Sequence, residues 1–67
     1  MELTMKAARV NAGYTQEEAA NILNISKSTL CNYENYRTIP DIRTSEKMAK
    51  LYHLSVDNII FYKEITL

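Results

Sequence analysis

Residues 16–34 read QEEAANILNISKSTLCNYE, which has the pattern of two short amphipathic helices separated by the joint Asn24-Ile25-Ser26. The joint is too short for the two helices to lie antiparallel, so they are expected to cross steeply. A steep crossing requires small side chains where the helices touch, and Ala19 and Ala20 supply them in the first helix. The other residues of this pair expected to face the core are Ile22, Leu23, Ile25, Leu30 and Tyr33.

Capping signals divide the whole chain into five predicted helices. The first runs from about residue 3 to Ala12 and stops at Gly13, the only glycine, which adopts a left-handed conformation without strain. Thr15 opens the second helix with a capping box to Glu18. The other predicted N-caps are Ser26, Asp41 and Ser55. The fourth helix is expected to bury Ile42, Met48, Ala49 and Tyr52, and the fifth is predicted over residues 56–60.

The end of the chain has a different pattern. Residues 61–67 read FYKEITL, in which apolar and polar side chains largely alternate and the residue types favour strands. A lone strand has no partner in a five-helix domain. The tail is therefore expected either to fray or to pair with the same strand of another copy.

The length and composition describe one small domain. With 67 residues, of which 46% are hydrophobic, the chain has room for one core and no separate catalytic domain. Cys31 is the only cysteine, so it cannot form an internal disulfide, and no Cys/His cluster could hold a metal. With one histidine and no nucleophile constellation, neither an enzyme nor a cofactor is expected. A partner subunit is the expected source of extra stability.

The charge balance limits the kinds of partner. Eight basic and eight acidic side chains cancel, which argues against a generic polyanion binder but is compatible with a few cations gathered on one face. No apolar run approaches the roughly 18 residues of a membrane span. Residues 1–6 lack the order of a signal peptide. A cytoplasmic protein without a membrane partner is expected.

Five segments occur in an order and spacing that can be compared with known families. They are Met5-Lys6-x-x-Arg9, Gly13-x-Thr15-Gln16-Glu17-Glu18-Ala19-Ala20, Ile25-Ser26-x-Ser28-Thr29-Leu30, Tyr33-Glu34-Asn35-x-Arg37-x-x-Pro40 and Met48-Ala49-x-x-Tyr52-x-Leu54-Ser55-Val56-Asp57. Together they resemble the Cro and phage-repressor family of helix-turn-helix transcriptional regulators. The resemblance implies an all-α, five-helix, lambda-repressor-like DNA-binding domain over residues 1–60, followed by the 61–67 tail as a candidate dimerisation strand. Tyr36 stands where many members have glycine, which implies a different turn after the third helix.

The resemblance also implies roles for individual residues. The helix at about 26–33 is expected to lie in the major groove of duplex DNA. Its outward side chains match base edges: Lys27 can donate to guanine, Asn32 can pair with adenine, and Ser28 can serve either. The residues expected to contact phosphates are Gln16, Ser26, Thr29, Asn35 and Arg37. Arg9 and Glu34 correspond to a structural ion pair inside the domain.

A homodimer is the expected assembly. Its interface is predicted to use Val56, Ile59, Ile60, Phe61 and Ile65, because such an apolar set would be unusual on the surface of a monomer. Two copies are then expected to read an inverted-repeat operator, with no small-molecule effector. The alternative is a protein-interaction module of the same fold, antitoxin-like or anti-repressor, that does not bind DNA. Zero net charge is the observation that favours this alternative.

Overall fold

The computed structural model describes residues 2–63. In chain order its elements are β1 (Leu3–Thr4), α1 (Met5–Asn11), α2 (Gln16–Leu23), α3 (Lys27–Glu34), α4 (Ile42–Leu51), a 3-10 turn (Val56–Asn58) and β2 (Ile59–Ile60). Residues 2–63 therefore contain four α-helices and not the five that were predicted. The predicted fifth helix is one 3-10 turn followed by a strand, because the β-branched pair Ile59–Ile60 finds a strand partner.

That partner is at the other end of the chain. β1 pairs in parallel with β2, with Leu3 opposite Ile59 and Thr4 opposite Ile60. The first helix consequently begins at Met5, and Thr4 serves both as the last residue of β1 and as the N-cap of α1. The strand predicted at residues 61–67 is not found at residues 61–63, and the C-terminal strand of the domain lies just before them, at residues 59–60. Residues 64–67, with the predicted interface residue Ile65, lie outside the described part of the chain.

Each α-helix begins at a side-chain cap. The oxygen of the cap accepts a hydrogen bond from the amide three residues on, at 2.7–3.1 Å, and the caps are Thr4, Thr15, Ser26 and Asp41. At Thr15 the capping box is complete, because the Glu18 carboxylate accepts from the Thr15 amide at 2.9 Å. The N-caps predicted at Thr15, Ser26 and Asp41 are confirmed.

The four helices also end alike, at residues with positive φ: Gly13 (87°), Asn24 (59°), Tyr36 (59°) and His53 (60°). After each, the next amide bonds back to the carbonyl five residues earlier, as in the Schellman motif. These bonds are Tyr14 to Arg9, Ile25 to Ala20, Arg37 to Asn32 and Leu54 to Ala49, at 2.9–3.2 Å. The expectation of a different turn at Tyr36 is wrong, because the tyrosine adopts the conformation that a glycine would have there.

One core joins all the elements. Its buried hydrophobic residues are Met5, Ala8, Ala19, Ala20, Leu23, Leu30, Met48, Ala49, Tyr52, Ile59 and Phe61. Two predicted core residues are instead exposed, Ile22 by 56% and Ile42 by 79%. Ile22 lies about 100° around α2 from the buried Leu23. Ile42 is the first residue of α4, beyond the packed part of that helix.

The expected apolar patch at the C-terminal end is smaller than predicted. Ile59 and Phe61 are buried inside the domain, whereas Val56 is exposed and Ile60 is half-buried. The prediction that all four lie on the surface is therefore wrong for Ile59 and Phe61. Between residues 2 and 63 no helix has the length and apolar character to cross a membrane.

Candidate nucleic-acid interface

The joint between α2 and α3 directs α3 outward. Asn24 takes the left-handed conformation that ends α2, and Ser26 then caps α3. The small residues Ala19 and Ala20 are buried, and Leu30 anchors α3 with no exposed surface. One face of α3 thus packs against the core through Leu30, and the exposed Lys27 and Ser28 are turned away from it.

The outer face of α3 carries the three predicted base-reading residues. Lys27 and Ser28 are exposed in its first turn, and Asn32 is half-buried one turn later. Ser28 and Asn32 are four residues apart, so they share one face of the helix. None of these three side chains makes a hydrogen bond or ion pair with another described residue. Their polar groups are therefore available to a ligand.

The two hydroxyls at the start of α3 are already engaged with each other. Ser26 Oγ accepts from the Thr29 amide at 3.0 Å and lies 2.8 Å from Thr29 Oγ1. Because one hydroxyl donates to the other, a single hydroxyl proton of the pair remains for an external acceptor. Ser26 and Thr29 can thus offer a phosphate one side-chain hydrogen bond between them.

Gln16, at the first turn of α2, is held by a contact that the sequence did not suggest. Its Nε2 donates to Glu34 Oε1 at 3.0 Å, and its side chain is half-buried. A primary amide has two N–H groups, so one remains for a phosphate. The hydrogen bond to Glu34 fixes the orientation of that second N–H.

Arg9 and Glu34 form a buried ion pair. Arg9 Nε lies 2.8 Å from Glu34 Oε2 and Arg9 Nη2 lies 3.3 Å from Oε1, with side chains only 9% and 3% exposed. The remaining Arg9 nitrogen, Nη1, donates to the Tyr14 carbonyl at 2.8 Å. With the bond from Gln16, the Glu34 carboxylate accepts three N–H groups. It therefore joins α1 and α2 to the end of α3.

Tyr52 lies beside this pair, and sequence reasoning assigned it only to the core. Its hydroxyl is buried and has no hydrogen-bond partner among the described residues. Burial, assisted by the negative charge of Glu34 and opposed by the positive charge of Arg9, raises the pKa of Tyr52 to about 12. The Tyr14 ring packs against it, with ring centroids 6.4 Å apart.

The loop after α3 carries the two other predicted phosphate contacts. Asn35 Nδ2 donates to the Cys31 carbonyl at 3.0 Å and lies 3.2 Å from Cys31 Sγ, so this side chain partly serves to end the helix. Arg37 is exposed, and its guanidinium bonds no other described residue. Between them, the Tyr36 hydroxyl donates to the Ile60 carbonyl at 3.3 Å.

The segment from Ser26 to Pro40 carries a net positive charge although the chain is neutral. Residues 26–40 contain three charged side chains, Lys27, Glu34 and Arg37. Glu34 is buried and neutralised by Arg9. The segment therefore presents two cations and no free anion. In the described part of the chain no three His, Cys, Asp or Glu side chains gather as metal ligands.

Comparison with known proteins finds related sequences. A family model described as Helix-turn-helix matches residues 5–59. The chain is 44% identical over 62 residues to the HTH-type transcriptional regulator ImmR of Bacillus subtilis (strain 168), covering 92% of this chain and 49% of that protein. It is 35% identical over 52 residues to the cryptic phage CTXphi transcriptional repressor RstR of Vibrio cholerae, covering 78% and 47%. The chain thus spans about half the length of the curated relatives it matches.

Proposed function

The chain belongs to the helix-turn-helix family, and from this premise we propose that it is a sequence-specific, double-stranded DNA-binding transcriptional regulator. The observation that carries the proposal is the outer face of α3, where Lys27, Ser28 and Asn32 have polar groups that no described residue uses. The names of both relatives, a transcriptional regulator and a transcriptional repressor, agree with it.

The chemistry of the outer face suits base edges in the major groove. The Lys27 ammonium can donate to O6 and N7 of guanine. The Asn32 amide can pair with N6 and N7 of adenine, and Ser28 on the same face can donate or accept. Each good bidentate pair discriminates against the wrong base by about 1–3 kcal/mol.

Phosphate contacts would position α3 without reading sequence. Arg37 provides a free guanidinium, and Gln16 provides the N–H that does not bond Glu34. Ser26, Thr29 and Asn35 are further candidates, each with part of its hydrogen-bonding capacity used inside the domain. Since only a few cations take part, the affinity should fall less steeply with salt than for a strongly basic repressor.

We further propose that the regulator acts as a homodimer on an inverted repeat. Two reading helices must lie about 34 Å apart to enter successive major grooves on one side of the duplex. One copy extends 36 × 24 × 20 Å, so two copies packed side by side can meet this spacing. The exposed Val56, the half-buried Ile60 and residues 62–67 are the proposed contact region.

Selection of bound duplexes from a random DNA pool tests this function. We expect enrichment of an inverted repeat whose half-sites are one helical turn apart. The variant Arg37→Ala should lose most of the enrichment, whereas Lys50→Ala, which removes an exposed lysine of α4, should keep it. A protein-interaction module, which zero net charge favours, predicts that no duplex is enriched. That result would overturn the proposal.

A further inference from the structure

Tyr36 connects the loop after α3 to the C-terminal strand β2. Neither the fold nor the outer face of α3 explains why a tyrosine stands at this position. We propose that Tyr36 is a positioning residue that couples the C-terminal segment, residues 59–63, to the phosphate contact made by Arg37. The inference rests on the proposed function, since it assigns Arg37 a phosphate. Under this proposal, a movement of the C-terminal segment is transmitted to the loop after α3 that is proposed to contact DNA.

The backbone at Tyr36 is the first observation. Its φ of 59° lies in the left-handed region, which residues other than glycine, asparagine and aspartate rarely adopt. Glycine at this turn would satisfy the same backbone hydrogen bonds without strain. A bulky aromatic residue persists in such a conformation only where its side chain is held by its surroundings.

The side chain supplies that support. The Tyr36 ring is half-buried and packs against the core, and its hydroxyl donates to the Ile60 carbonyl at 3.3 Å. Ile60 lies between Ile59 and Phe61, both buried, so the accepting carbonyl is on a well-anchored part of the chain. The ring also forms one wall of a groove whose other walls include Val56, Ile60, Tyr62 and Lys63.

The loop on the other side of Tyr36 depends on the same residue. The amides of Arg37 and Thr38 both bond the Asn32 carbonyl, at 2.9 and 3.5 Å. Arg37 directly follows Tyr36 in the chain. A movement of Ile60 that shifts the Tyr36 ring would therefore also shift the Cα atom from which the Arg37 side chain extends. The coupling must be reciprocal, so binding of DNA by Arg37 would also steady residues 59–63.

The test is a double-mutant cycle on the selected duplex. Tyr36→Phe removes only the hydroxyl, and we expect duplex affinity to fall about 3–10-fold because Arg37 is no longer held in place for the phosphate, with the energy of one hydrogen bond as the upper limit. In an Arg37→Gln background the same change should have no effect, because the group that Tyr36 positions is gone. Tyr36→Phe should also lower the salt dependence of binding. The matched control is Tyr14→Phe, which removes the hydroxyl of a tyrosine outside both α3 and the C-terminal segment and should alter neither quantity.

Amide hydrogen exchange in the free protein supplies a readout without DNA. Exchange at Arg37 and Thr38 should be faster in Tyr36→Phe and unchanged in Tyr14→Phe. Additive losses of affinity, or unaltered exchange at these amides, would overturn the coupling while leaving the regulator function intact. Failure of the wild-type chain to bind any duplex would overturn the function itself, and the role of Arg37 with it.

Discussion

Ser28 and Leu30 are two positions apart on α3, which sets them on opposite sides of the helix. Leu30 is completely buried, and the side chain of Ser28 is exposed and bonds no other described residue. The residues of α3 that pack in the core and the residues of α3 that can read DNA thus lie on different sides of the helix. Substitutions on the outer face should therefore change recognition and leave stability nearly unaltered.

Lys27→Ala and Asn32→Ala test this separation. Each should weaken binding to the selected operator by about 1–3 kcal/mol, because a base-edge contact is lost. Folding should persist, since the Asn32 carbonyl that accepts from Arg37 and Thr38 remains after the change. The measurement is a titration with operator and with random duplex, using Lys50→Ala as control. Equal losses on both duplexes would contradict a base-reading role.

Tyr52 is the second residue for which a sharp expectation exists. Its buried hydroxyl has no partner within residues 2–63, so Tyr52→Phe should raise the free energy of unfolding by about 1 kcal/mol at neutral pH. The raised pKa, to about 12, means that the folded state favours the neutral phenol. The stability that the wild type gains from this difference in pKa is full below pH 10 and is lost as the pH rises towards 12. Tyr52→Phe has no phenol to ionise, so it does not show this loss.

Urea unfolding at pH 7 and pH 11 measures both effects. The control is Tyr62→Phe, because Tyr62 is exposed and its hydroxyl is free to bond water. A Tyr52→Phe variant less stable than wild type at pH 7 would contradict this prediction, because it would mean that the Tyr52 hydroxyl makes a stabilising interaction.

At the scale of elements, the carboxylates at the starts of α2 and α4 are expected to contribute to the acid sensitivity of the fold. The hydrogen bond from the Thr44 amide holds the pKa of Asp41 below its ordinary value of 3.8, and the bond from the Thr15 amide likewise lowers that of Glu18 below 4.5. A depressed pKa contributes stability above the ordinary value, and this is lost as pH falls through the folded value. Acidification below those ordinary values should therefore weaken the starts of α4 and α2.

Asp41→Asn and Glu18→Gln keep a hydrogen-bond acceptor and remove the titration. Each should make the decline of the thermal midpoint between pH 5 and pH 2 shallower than in wild type. The exposed Glu46, for which the structure gives no hydrogen bond, supplies the control Glu46→Gln. A wild-type slope in both cap variants would show that other groups cause the acid sensitivity.

Sequence reasoning succeeds for the features of the helices that are decided by residues close together in the chain. Thr15, Ser26 and Asp41 were identified as caps because a cap is decided by residues three positions apart. The exposed Lys27 and Ser28 follow from the same local periodicity. The pairing of β1 with β2, the bond from Gln16 to Glu34 and the exposure of Ile42 depend on segments distant in sequence. A single sequence does not define those contacts, so they were missed or mispredicted.

At the scale of the whole molecule, one domain offers two separate surfaces, the outer face of α3 and the C-terminal segment. Deleting residues 62–67 should weaken self-association and leave the core intact, because the buried Phe61 is retained. Sedimentation velocity over a range of concentrations measures the effect, with urea unfolding as the check on folding. A truncated chain that sediments as wild type would place the dimer contact elsewhere.

The parallel pairing of β1 with β2 has a mechanical consequence. β1 begins at Leu3 and β2 ends at Ile60, and the two strands run in the same direction side by side. Opposing tension applied at the two ends would drag these strands past each other lengthwise, so that their backbone bonds share the load simultaneously instead of opening one at a time. This two-stranded sheet would then be the part of the fold that resists stretching.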